Sequence, residues 1–77
     1  MQTSSADQSV IAAMQFIGTG QIAKAETLCK ELLEKHPLNA AVLHTAGLVD
    51  YMKRDYEGAI KKITQAVQID DSNAQYF

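Results

Sequence analysis

Seventy-seven residues, 47% hydrophobic and 21% charged with a net charge of -2, make one small globular unit near the size where a single core becomes marginal. A pI near 5.5 with scattered basic residues excludes a phosphate-neutralising nucleic-acid surface. No window reaches the ~18 continuous apolar residues of a membrane helix, which excludes a span.

Four helices are expected in chain order. Ser5 with Gln8 reads as a capping box opening a helix to about Ile17. Gly18-Thr19-Gly20 breaks it with turn chemistry; it follows no strand and lacks the lysine of a phosphate loop. A second helix runs from about Gln21 to Lys35, with Ile22, Ala25, Cys29, Leu32 and Leu33 on its apolar face, until Pro37 stops it. Asn39 caps a third, Ala40 to about Lys53. Asp55 caps a fourth, Tyr56 to about Ile69, with Ala59, Ile60, Ile63, Ala66, Val67 and Ile69 facing inward. The pairs Glu26–Lys30, Glu31–Lys35 and Glu57–Lys61 have the favourable i,i+4 polarity and mark solvated faces.

These helices fall on a repeat of 34 residues. Ile22 aligns with Tyr56, Ala25 with Ala59, Leu33 with Val67 and Asn39 with Asn73; Val10, Ala13, Met14 and Ile17 align with His44, Gly47, Leu48 and Tyr51. Such a period means stacked helical hairpins that bury their apolar faces against one another. The chain reads as one domain, residues 1–77: repeat 1 over about 5–38, repeat 2 over about 39–72, and 73–77 as the start of a third repeat or a short cap. Two hairpins fall short of the usual three, so a cover over the open end is expected from more chain, a second copy or a partner.

The second repeat carries Leu43, Ala46-Gly47 and then Ala59, Ile63 and Ala66; the first carries Ala12-Ala13, Phe16, Ala25, Cys29, Leu32 and Pro37. In that pattern the chain resembles the tetratricopeptide repeat family from about Asp7 to Asn73. The resemblance implies an all-α fold of two tandem helix-turn-helix hairpins, a fragment of an α-α superhelix. Gly47 opposite Ala59 and Ala13 opposite Ala25 would let paired helices approach closely. Asp50 and Asp71 depart from the aromatic and the proline of the family pattern, and Ser9 and Leu32 replace a large and a small residue.

The resemblance also implies a concave groove lined by the first helix of each hairpin. Here that groove would carry Val10, Met14, Ile17, His44, Leu48, Tyr51 and Met52, an apolar stripe suited to a partner's helix or peptide. Helix one is apolar nearly all round, which calls for cover on both sides. The lysines, asparagine and arginine with which some family members clamp chaperone carboxylates are absent from the matching places, Val10, Met14, His44 and Leu48. Tyr51 is the expected anchor; Tyr56, the match of Ile22, is expected in the core.

The leading expectation is therefore a protein–protein interaction module, a binding scaffold with no enzymatic activity, no cofactor and no metal. Cys29, His36 and His44 have no zinc-ligand spacing, and no nucleophile–base pair is visible. The alternatives are a self-associating unit, a homodimer or larger oligomer joined through Ile60, Val67, Tyr76 and Phe77, and the non-catalytic N-terminal segment of a larger bacterial enzyme such as a glycosyltransferase. The first seven residues lack the basic and apolar regions of a secretory signal, and a lone Cys29 suits a reducing compartment, so the expected location is the cytoplasm.

Overall fold

The computed structural model describes residues 5–70 and holds four helices: α1 (Ser5–Gly18), α2 (Ile22–Lys35), α3 (Ala40–Met52) and α4 (Tyr56–Asp70). Among the described residues there is no strand, so this part of the chain is all-helical. α1 is already helical at Ser5, the residue expected to cap it. The two interior caps form as their sequence requires. Asn39 accepts from the Val42 amide at 3.1 Å through Oδ1, and Asp55 accepts from the Gly58 amide at 3.1 Å. Each satisfies an orphan donor of a helix start.

The 34-residue period is visible in the hairpin turns atom by atom. After α1, the Gly20 amide donates to the Ile17 carbonyl (3.1 Å) and the Gln21 amide to the Phe16 carbonyl (2.8 Å). After α3, Arg54 donates to Tyr51 (2.9 Å) and Asp55 to Asp50 (2.8 Å). This is one C-terminal capping motif used twice, and it needs a left-handed residue just past the helix. Gly20 (φ 80°) and Arg54 (φ 67°) are those residues.

α1 packs on α2, α3 on α4, and α3 also lies against α1 and α2, whereas α4 among these elements touches α3 alone. α3 is thus the axis of the stack, and Val42, Thr45 and Val49 on it are the largest fully buried side chains. Thr45 keeps its hydroxyl satisfied by donating to the Ala41 carbonyl at 2.8 Å. α3 is the more deeply buried of the two first helices, although His44, Tyr51 and Met52 on it are exposed; α1 keeps Ile11 and Met14 in solvent, 52% and 44% exposed.

Small residues set the helix spacing. Ala13, Ala25, Cys29, Ala46 and Val49 form one buried cluster, and Val10, Leu32 and Val42 a second. In the α3–α4 hairpin, a β-carbon on Gly47 would stand 2.6 Å from Ile63 Cγ1 and 3.3 Å from the Ala59 carbonyl oxygen. Glycine is required at 47 by this close approach. Asp50, where the repeat pattern expects an aromatic, forms an ion pair with Lys62 across the same hairpin. The matching places in the first hairpin hold Phe16 and Leu28, so two apolar residues stand at one offset where a charged pair stands at the next.

Candidate interaction surface

The seven residues expected to line a groove divide by burial. Met14, Tyr51 and Met52 are open at 44%, 57% and 51%, and His44 is also exposed. Ile17 and Leu48 are half-buried, with Ile17 packed against the Ala13–Val49 cluster. Val10 is 5% exposed and sits with Leu32 and Val42 in the core. Its place on the stripe turns it toward α2 and α3, so it offers nothing to a partner. The free part of the predicted groove is Met14, His44, Tyr51 and Met52, rimmed by Ile17 and Leu48.

At the expected self-association end, Ile60 and Val67 stand 66% and 60% exposed. Ala59 and Ala66 take the inward side of α4, so the stripe that was expected to face inward is split between the two sides. Tyr76 and Phe77 lie outside the described residues.

Tyr56 corrects the expectation of a core tyrosine. It is 51% exposed and meets Tyr51 edge to face, ring centres 5.5 Å apart at 64°. The two rings, with Ala59, Ile60, Ile63 and Thr64, line an open groove of about 340 Å³. A second groove of about 420 Å³ lies on the first hairpin between Phe16, Leu28 and the aliphatic stem of Lys24, whose ammonium stands 5.9 Å from the Phe16 ring centre. The groove on the first hairpin was not expected from the sequence, whereas the first of the two grooves takes in Tyr51 and Ile60, both expected at surfaces but on two different ones. The signal for the first was present in the repeat alignment, where Glu26 and Lys30 of α2 become Ile60 and Thr64 of α4.

Charge on the molecule ties its hairpins together. Glu26 pairs with Lys53 of the next hairpin rather than closing on Lys30 of its own helix. The Lys53 hydrogen bond holds the Glu26 carboxyl below its ordinary range, and Glu26 in turn raises Lys53. Cys29 is a buried free thiol. Burial first, and then the Asp50 carboxylate, push its pKa up to about 11, with Lys62 opposing. A thiol so protonated is a packing residue and a poor nucleophile.

Among the described residues, no three His, Cys, Asp or Glu side chains converge as metal ligands, and no helix is long and apolar enough to cross a membrane. No protein-family model, no curated protein and no solved structure matches the chain.

Proposed function

We propose that this chain is a non-enzymatic protein-interaction module of the tetratricopeptide type, two hairpins that present an apolar groove to a helix or peptide of another protein. One observation carries the reading. The first helices of both hairpins keep Met14, Tyr51 and Met52 about half in solvent, although the same helices supply Ala13, Val42, Ala46 and Val49 to the core. Large apolar side chains left in water on these two helices lose water favourably against a partner, and methionine adapts to irregular shapes. The twice-used hairpin turn supports the stacked-repeat character on which the reading depends.

The test is selection of peptides from a displayed helical library on the whole chain, followed by calorimetric titration of the selected peptides. Met14→Asp and Leu48→Asp are expected to weaken binding at least tenfold with the helical circular dichroism retained. Unfolding of both variants would place these residues in the core and remove the groove. Unchanged affinity would remove it equally.

A second reading, self-association into a homodimer or larger assembly, draws on the exposure of Ile60 and Val67 on α4. Sedimentation equilibrium over a hundredfold concentration range separates the two, since only self-association makes the mass rise with concentration.

A further inference from the structure

Charge is distributed over this molecule by helix. Of seven basic and nine acidic residues, only Asp7 and Asp50 belong to α1 and α3, and between Gln8 and Val49 neither helix carries a charged side chain. Ten of the others lie on α2 and α4, with both signs interspersed.

The charges nearest the open sides of α1 and α3 are engaged elsewhere. Asp50 pairs with Lys62 of α4, and Lys53, the residue after Met52, pairs with Glu26 of α2. Lys24 approaches α1 at Phe16, two residues on from Met14 and so on the opposite side of that helix. The charged turn Lys53-Arg54-Asp55 begins only past Met52.

What these two helices leave open is therefore apolar or neutral. α3 packs on all three other helices and keeps one stripe in water, Ala41, His44, Tyr51 and Met52, with the half-buried Leu48 between them. α1, packed beside it, exposes Ile11 and Met14 together with the neutral amides of Gln8 and Gln15. A partner side chain arriving here with a formal charge would lose water and meet no counter-charge, whichever its sign. Selection of this kind works by desolvation. With no local charge, association has nothing to steer it and added salt has nothing to screen.

Resting on the interaction-module reading, we infer that the open sides of α1 and α3 take a partner segment whose contacting side is apolar and carries no formal charge. They reject acidic and basic segments alike, and the binding is independent of ionic strength.

The probe is an acetylated and amidated helix of about 18 residues, long enough to hold its fold, with leucine on one side and glutamine on the other. A single terminal tryptophan reports binding by fluorescence anisotropy, since the chain itself has none. One central position on the leucine side is glutamine, glutamate or lysine in three versions. Saturable binding of the glutamine version to the full chain is expected, with the glutamate and lysine versions each at least tenfold weaker. Its affinity holds within twofold from low salt to about 0.5 M sodium chloride. Met14→Lys, at a place 44% exposed, keeps the helical circular dichroism and makes the glutamate version bind better than the lysine version. His44→Lys, on the α3 stripe, does the same and checks the result independently. A preference of the unaltered chain for either charged version overturns the inference, as does affinity that falls with salt or a neutral version that does not bind. A mass that rises with concentration and is returned to the monomer by Met14→Lys assigns the face to a second copy and overturns it too. The wider reading is judged separately, by whether the displayed library, charged sequences included, yields any peptide whose binding responds to Met14→Asp.

Discussion

Gly20 and Arg54 hold the same left-handed backbone, φ 80° and 67°, at the same place in two copies of one turn. Glycine takes that conformation without strain, while a side chain there costs ~1–2 kcal/mol. Arg54→Gly is therefore expected to stabilise the chain by about 1 kcal/mol, and Gly20→Ala to destabilise it by a similar amount. For a domain of this size, thermal midpoints should move up and down by about 4–8 °C. A drop in midpoint for Arg54→Gly would mean that the arginine side chain contributes more than its backbone costs. Cys29 makes a second prediction at this scale. Its folded pKa of about 11 lies above the ordinary thiol value of 9.0, so the folded state holds the proton more tightly than the unfolded one. Stability from this group is complete below about pH 9 and is lost as pH rises toward 11. Chemical denaturation at pH 8 and pH 10.5 should show a larger fall for the native chain than for Cys29→Ala. Equal falls would show that the thiol is not the titrating group.

At the scale of the element, α3 decides whether the stack exists. It is the one helix packed against all three others, and it begins on the Asn39 cap. Asn39→Ala removes an acceptor from the Val42 amide, and Val42 is fully buried, so a loss of ~1 kcal/mol is expected from equilibrium urea denaturation. Gly47→Ala tests the other side of the same helix. Helix propensity alone would favour alanine by ~1 kcal/mol. The 2.6 Å approach to Ile63 Cγ1 opposes it, because a side-chain carbon near the backbone cannot swing clear and the Ala59 carbonyl stands behind. Overpacking of this kind costs ~1–3 kcal/mol, so Gly47→Ala should be net destabilising in the same urea assay. A stabilised variant would mean that α3 and α4 sit farther apart.

For the whole molecule, the balance between covered and open apolar surface is the governing quantity. Two hairpins bury a core of small and β-branched residues, yet Met14, Tyr51, Tyr56, Ile60 and Val67 stay between 44% and 66% exposed. If a separate protein is what the apolar surface meets, the free chain should sediment as a monomer over a hundredfold concentration range. It should also bind an apolar dye such as anilinonaphthalene sulfonate while folded, and Ile60→Asp should reduce that fluorescence without loss of helix. A concentration-dependent mass would move the emphasis to self-assembly.

The positions of all four helices, the caps at Asn39 and Asp55 and the 34-residue register were legible in the sequence because each rests on local chemistry. Turn glycines, a proline and short polar caps act within a few residues, and the helical period of the apolar positions is a property of the chain alone. Which of those apolar residues are buried was decided by the tertiary structure. Val10 and Met14 lie one turn apart on α1, yet α2 and α3 cover the first and leave the second in water. Tyr56 and Ile22 share a register position, but α2 is packed by both α1 and α3, whereas α4 among the described helices is packed by α3 alone. Asp50 looked like a flaw in the repeat until Lys62 of the facing helix supplied its counter-charge. Burial and pairing are relations between elements distant in sequence, and only their packing distinguishes a core residue from a binding one.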